Sequence, residues 1–175
     1  MLGPEASPPV TVRGTRRPDL GFQEISRQLL TKSDYRFIHT LRVRWRECDV
    51  QGIAYYGSYI DFIDVAQAEY FRNLEILTHN TESRKLFDLA AVKVTLEYKS
   101  PAKIDDLIDV HIRVHKMGFT SIAKRWEIYR SGTNKLLATG ETISVNYESV
   151  SGESRPLPDE IRRDIEAYEG MLKTP

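Results

Sequence analysis

From Phe37 to Arg46 the chain alternates. Phe37, His39, Leu41, Val43 and Trp45 take one set of positions and Ile38, Thr40, Arg42, Arg44 and Arg46 the other. A period of two is that of a β-strand with one mainly apolar face and one basic face. Four further segments have the same character. Val92, Val94, Leu96 and Tyr98 alternate with Lys93, Thr95 and Glu97, and Ile108, Val110, Ile112 and Val114 alternate with Asp109, His111, Arg113 and His115. Ile122, Lys124, Trp126 and Ile128 make a less regular fourth strand. Leu137, Thr139, Glu141, Ile143, Val145 and Tyr147 occupy alternate positions of a mixed fifth. Ser100-Pro101 closes the second strand, since the residue before a proline avoids continued regular structure. Met117-Gly118-Phe119 joins the third strand to the fourth, and Ser131-Gly132-Thr133-Asn134 the fourth to the fifth. Connections this short demand antiparallel neighbours.

One long interruption has a different period. From Gly57 to Leu74, the residues Tyr59, Phe62, Ile63, Ala66, Tyr70 and Leu74 recur at steps of three and four, an amphipathic helix. Shorter helices are expected at 22–30, at 81–89 and, after Pro158, at 158–172 with Ile161, Ile165, Tyr168 and Leu172 inward. The expected fold is α+β: a five-stranded antiparallel sheet wrapped around one long helix. A helix about 10 Å wide covers too little of such a sheet. An edge or face is left for a second copy of the chain.

The 175 residues suffice for one domain, expected at 35–175 behind an arm at 1–34 that carries Pro4, Pro8, Pro9 and Pro18. That arm is expected to be disordered outside its short helix. A transit peptide is the sharper reading, but Glu5, Asp19 and the scarcity of serine oppose it, and no apolar core of a secretory signal is present. Twenty-five basic and 25 acidic side chains cancel, which argues against nucleic acid as a partner. No apolar run is long enough for a membrane span. The single cysteine, Cys48, excludes an internal disulfide framework and fits a reducing, cytoplasmic setting.

The chemistry-bearing stretch runs off the first strand, turns at Gly52 and enters the long helix. Asp49 sits on the connecting loop. The amides around Tyr56, Gly57 and Ser58 begin the helix, where N–H groups lack intrahelical acceptors and the dipole favours negative charge. A carboxylate beside such amides suits acyl transfer, attacking or activating water while the amides hold the oxyanion. On spacing alone, an ordinary loop with Asp49 bonded to nearby amides and Tyr55 and Tyr56 packing is the simpler reading.

The segment Glu47-Cys48-Asp49-Val50-Gln51-Gly52-Ile53-Ala54-Tyr55-Tyr56-Gly57-Ser58-Tyr59, continuing through Ala66-Gln67-Ala68-Glu69-Tyr70-Phe71, resembles the signature of the 4-hydroxybenzoyl-CoA thioesterase family. The order of strands and turns resembles that family from about 36 to 148. The resemblance implies a hotdog fold, hydrolysis of an acyl-CoA thioester without a cofactor or metal, and sites at the interface of a homodimer or homotetramer. It implies that Asp49 is the catalytic carboxylate, that the backbone N–H of Tyr56, with Gly57 beside it, polarises the thioester carbonyl, and that Gly52 is the turn glycine. Tyr55 and Tyr59 are expected at the acyl group. The family often sets arginine or lysine in the hairpin between the third and fourth strands. Here that hairpin is Gly118-Phe119-Thr120, and Lys116, Lys124 and Arg125 are the nearby candidates for coenzyme phosphates.

Other chemistry is weaker. Cys48 has no histidine near it in a recognisable pattern and reads as a buried, inert thiol. His111 and His115 share a polar strand face and read as solvated, with no further metal ligands in sight. The basic face of Arg42, Arg44 and Arg46 reads as solvated too, or as an attraction for an anionic coenzyme or an acyl carrier protein. Two rival functions stand beside hydrolysis. One is a hotdog dehydratase or hydratase, which pairs its aspartate with a histidine absent from this loop. The other is a non-catalytic acyl-CoA-binding module.

Overall fold

The computed structural model describes residues 31–76 and 86–170, so the helix expected at 22–30, most of the one at 81–89 and most of the arm lie outside the described residues. The strands are β1 (Phe37–Arg42), β2 (Leu89–Tyr98), β3 (Leu107–Met117), β4 (Ser121–Arg130) and β5 (Leu136–Asn146). The helices are α1 (Ser58–Asn73) and α2 (Asp159–Glu169). Leu89, the last residue of the stretch expected to be helical, already opens β2. The strands form one sheet in the order β1-β3-β4-β5-β2 with antiparallel neighbours throughout. No helix among the described residues is long and apolar enough to cross a membrane.

The helical stripe does what its period requires. Tyr59, Phe62, Ile63, Ala66 and Tyr70 are at most 4% exposed, and they meet a sheet face that includes the buried Ile108, Val110, Ile112 and Val114 of β3 and Ile122, Trp126 and Ile128 of β4. Each large apolar side chain moved out of water in this way is worth about 1.5–3 kcal/mol. The long helix and the curved sheet therefore share one core.

Two expectations need correction, and one mixed pattern resolves. The first strand stops at Arg42, although Val43 still exchanges backbone bonds with Asp105 and Asp106. The Glu47 carboxylate then captures the Arg44 backbone N–H at 2.7 Å and the Arg44 guanidinium, closing a 3₁₀ turn over Trp45–Glu47. Trp45 leaves the apolar face and is 83% exposed.

The mixed pattern of β5 resolves in the structure: the helix-facing residues are Ala138, Gly140, Thr142, Ser144 and Asn146, in register with the inward residues of β4, while Leu137 of the alternate set is buried too. The reason lies on β4. Trp126 lies over Gly140, where an added Cβ would fall 2.4 Å from the indole ring and 2.0 Å from the Thr95 carbonyl oxygen. The Trp126 indole N–H donates to Thr142 Oγ1 at 3.2 Å.

The second correction concerns the outer face. His111 is buried, not solvated, because the segment Thr31–Arg36 folds across it. Its ring meets Tyr35 and Tyr129 edge-on, and Lys32 Nζ stands 4.3 Å from the Tyr129 centroid. Burial lowers the His111 pKa. His115 is paired with Glu141 at 2.8 Å.

The C-terminal helix closes the core beyond the end of β1. Its last residue, Glu169, is buried, accepts the Tyr70 hydroxyl at 2.7 Å and the Val114 N–H at 2.9 Å, and lies 3.6 Å from the Arg113 guanidinium. Gly170 follows with a φ of 68°, a left-handed cap suited to glycine.

Candidate active site

The loop bearing Asp49 is a small, tightly bonded hairpin. Cys48 pairs with Ala54, the Asp49 N–H donates to the Ile53 carbonyl at 3.0 Å, and the Gly52 N–H closes the turn onto the Asp49 carbonyl at 3.0 Å. Gly52 has a φ of +72°, where a Cβ would be strained. Asp49 Oδ1 accepts the Gln51 N–H at 2.8 Å, a side-chain turn that fixes the carboxylate while Oδ2 takes no bond from the described residues. The hairpin is also sewn to the segment before β3. Ala54 N–H donates to the Ala102 carbonyl at 2.9 Å, Ile104 N–H donates to the Gly52 carbonyl at 3.2 Å, and Ile53 bridges Lys103.

The same hairpin is tied to the start of α1. The Glu47 carbonyl accepts both the Tyr55 N–H at 2.8 Å and the buried Ser58 hydroxyl at 2.9 Å. Gly57 is the N-cap and supplies no side-chain cap to the amides that begin α1, and its own carbonyl accepts the Ile60 N–H at 3.0 Å. The Ser58 N–H turns back to the Tyr55 carbonyl, whereas the Tyr56 and Gly57 N–H groups meet no acceptor among the described residues. A Cβ on Gly57 would stand 2.9 Å from the Tyr55 ring, which therefore lies directly over it.

Around this turn is a cluster of tyrosines. Tyr55 and Tyr56 are exposed and lie 4.2 Å apart between ring centroids. Tyr59 is buried, its hydroxyl accepting the Ala102 N–H at 3.0 Å and its ring edge-on to Tyr98 and Phe62. Burial raises the Tyr59 pKa. Tyr59 thus packs beneath the turn, while Tyr55 and Tyr56 line its open side.

Tyr98, at the end of β2, donates its hydroxyl to the Tyr56 carbonyl at 2.8 Å. Sequence reasoning gave Tyr98 only a place in an apolar stripe. The contact spans 42 positions, and no local spacing signals it.

Cys48 is partly buried, and its thiol points to the Arg44 carbonyl at 3.7 Å. Burial and the carboxylates of Glu47 and Asp49 push its pKa up, the wrong direction for a thiolate nucleophile. A cavity of about 320 Å³ lies between the end of β1 and the exposed flank of α1, lined by Leu41, Arg42, Arg44, Glu47, Asp61, Phe62 and Val65. It is lined by neither Asp49 nor the tyrosines.

The three basic residues proposed for coenzyme phosphates do not converge. Lys116 is exposed at the far end of β3, which begins just past the Asp49 hairpin's neighbour Lys103 and runs ten steps, about 33 Å, to its end. Arg125 stands on the outer face of β4, in register with Arg113 and Glu141. Lys124 requires a correction. It projects from the opposite face into the core, fully buried under α1, where Nζ bonds Gln67 Oε1 and Ser144 Oγ and lies 5.7 Å from the Phe71 centroid. Consecutive strand residues face opposite ways, so Lys124 and Arg125 cannot serve one phosphate. Burial lowers the Lys124 pKa to about 7, with Asp64 opposing the shift.

Comparison with known proteins places these features in a family. The model of the thioesterase-like superfamily matches residues 43–165. An acyl-CoA thioester hydrolase, YbgC, of Escherichia coli is 27% identical over 124 residues, covering 69% of this chain and 89% of that one. The acyl-CoA thioesterase YbgC of Haemophilus influenzae is 24% identical over 131 residues, covering 74% and 93%. Among solved structures, a thioesterase from Thermus thermophilus complexed with coenzyme A and zinc matches with a TM-score of 0.68 at 23% identity, covering 79% of this chain and 98% of that one. A 1,4-dihydroxy-2-naphthoyl-CoA thioesterase from Synechocystis matches with a TM-score of 0.69 at 20% identity, covering 79% and 98%. The chain has the hotdog fold and belongs to the thioesterase-like superfamily.

Proposed function

We propose that this chain hydrolyses acyl-CoA thioesters, with Asp49 as the catalytic carboxylate and the N–H groups of Tyr56 and Gly57 as oxyanion donors. One observation carries the reading. The Asp49 hairpin and the start of α1 are bonded into one unit through the Glu47 carbonyl, so a carboxylate and the Tyr56 and Gly57 amides, which meet no acceptor among the described residues, are held on one rigid support. The names of the relatives agree with the substrate class.

In this reading the thioester carbonyl oxygen lies against the amides at the helix N-terminus, where the dipole favours the charge that develops on it. Asp49 adds an oxygen to the carbonyl carbon or takes a proton from the water that does so. The tetrahedral oxyanion collapses, the C–S bond breaks, and coenzyme A leaves as a thiolate whose thiol has an ordinary pKa of about 8.5, so it needs little protonation help. Where Asp49 itself attacks, water then hydrolyses the acyl–Asp49 anhydride, releasing the acid and restoring the carboxylate. Tyr55 and Tyr56 contact the acyl group. Coenzyme phosphates are met by basic residues at the surface, of which Lys116 and Arg125 remain candidates, and they belong to a second copy of the chain if they serve this site.

The test is a panel of acyl-CoA esters assayed by release of free thiol, run on the wild type and on Asp49→Asn. The wild type should turn over at least one ester, and the variant should lose roughly 10²–10⁴ of that rate, the usual contribution of a positioned base. A variant keeping more than about a tenth of the rate removes Asp49 from the mechanism.

A further inference from the structure

A trans peptide is planar, and its C=O and N–H point in opposite directions. Whatever holds the carbonyl oxygen therefore also aims the N–H of the same unit. The Tyr56 carbonyl and the Gly57 N–H belong to one such unit, and the carbonyl accepts the Tyr98 hydroxyl at 2.8 Å. We propose that Tyr98 is a positioning residue for the oxyanion donor: its hydroxyl locks the Tyr56–Gly57 peptide so that the Gly57 N–H faces the thioester oxygen. This rests on the reading of the first-turn amides given above.

Several features of the molecule make the lock effective. Tyr98 is the last residue of β2, in register with Ala138 of β5, so its backbone is fixed by the sheet and not by the loop it restrains. Its ring is held edge-on to the buried Tyr59 at 5.2 Å, and the Tyr59 hydroxyl is itself anchored by the Ala102 N–H. The Tyr55 ring covers the other side of Gly57. Without a Cβ, Gly57 has a wide choice of backbone angles, and a peptide beside it is free to tilt unless something outside the turn restrains it. Desolvation and the neighbouring Tyr59 and Tyr56 raise the Tyr98 pKa, so the hydroxyl keeps its proton and stays a donor. A hydrogen bond to the carbonyl also polarises the peptide and strengthens its N–H as a donor in turn.

Tyr98→Phe removes the hydroxyl and keeps the ring against Tyr59. Removal of a whole oxyanion donor costs about 10²–10³ in kcat, so a donor left in place but no longer aimed should cost about tenfold. The expected result is a tenfold fall in kcat with KM within about twofold of wild type, because the aim matters most once charge has formed on the oxygen. The Gly57 amide nitrogen should also shift upfield in the variant, read by NMR on the unliganded protein, because the peptide loses the hydrogen bond that polarises it. Tyr98→Leu, which loses the ring as well, serves as the control for packing. If Tyr98→Phe has wild-type kcat while Tyr98→Leu is impaired, the ring and not the hydroxyl matters, and the proposal is overturned. A raised KM at unchanged kcat, or an unmoved Gly57 amide nitrogen resonance, overturns it as well. Asp49→Asn, run in parallel, separates this from the parent reading: an Asp49→Asn variant that stays active sinks the parent mechanism, whereas a dead Asp49→Asn beside a fully active Tyr98→Phe sinks only the role of Tyr98.

Discussion

At the scale of the residue, Asp49 and Cys48 are neighbours with opposite chemical prospects. The Asp49 carboxylate is steered by the Gln51 amide, and its other oxygen takes no bond from the described residues. The Cys48 thiol is pushed up in pKa by burial and by two carboxylates. Cys48→Ala should therefore leave thiol release from acyl-CoA within about twofold of wild type, in the assay where Asp49→Asn loses its roughly 10²–10⁴. Equal losses in the two variants would point to the thiol instead.

Lys124 raises a different question, because a fully buried ammonium is costly when its partners are an amide, a hydroxyl and a ring. Its pKa is lowered in the fold from an ordinary 10.5 to about 7. Between those values the unfolded chain binds a proton that the folded chain does not, so stability rises with pH across that window. Below about pH 7 both states are protonated, and the penalty is constant. Urea midpoints of wild type and Lys124→Met from pH 7 to 9.5 test this. The wild-type midpoint should climb relative to the variant as pH rises, and parallel curves would show that the amine is not desolvated as described.

At the scale of the element, what could be read along the chain was what has a period. Alternation located all five strands, and the three-and-four spacing located α1 and its buried face, because side-chain direction follows backbone geometry. The same logic left the facing of β5 undecided, because its inward residues are small or polar. Their place is set by Trp126 on the neighbouring strand, a partner that no reading of β5 alone reveals. Lys124 stood in an apolar stripe and still was assigned to the surface, because burial of an amine is decided by Gln67 and Ser144, both remote in sequence. The candidate site divides in the same manner. Asp49, Gly52, Tyr56 and Gly57 are contiguous and could be found together, whereas Tyr98 reaches the turn only through the sheet. The Trp126–Gly140 contact makes a sharp test of this packing. Gly140→Ala puts a methyl where the indole and the Thr95 carbonyl already stand. Overpacking of a tight core costs about 1–3 kcal/mol, so the urea midpoint should fall with little change in slope. A variant as stable as wild type would mean that Trp126 does not lie on Gly140.

At the scale of the whole molecule, the outer edge of β2 pairs with no other strand among the described residues. Of the two outer strands, β1 has six residues and β2 has ten. An uncovered edge that long presents a row of unpaired backbone groups, a hazard that soluble proteins remove by covering or pairing it. Here the edge also carries Val92 at 62% and Val94 at 42% exposure, with Tyr98 and the exposed Tyr55 and Tyr56 of the candidate site nearby. Exposed apolar side chains gathered along a free strand suit an isologous contact with a second copy, in which each β2 pairs with the other and both sites lie beside the seam. The protein should then run in light scattering as a dimer or a larger even-numbered assembly, not at the chain mass of 20.2 kDa. The double variant Val92→Lys, Val94→Lys places like charges across that seam and should shift the assembly toward monomer at micromolar concentration. Thiol release should fall with it, since both sites would lie beside that seam. A wild type that is monomeric at those concentrations, or a charged variant that keeps its mass and its activity, would place the second copy elsewhere or dispense with it.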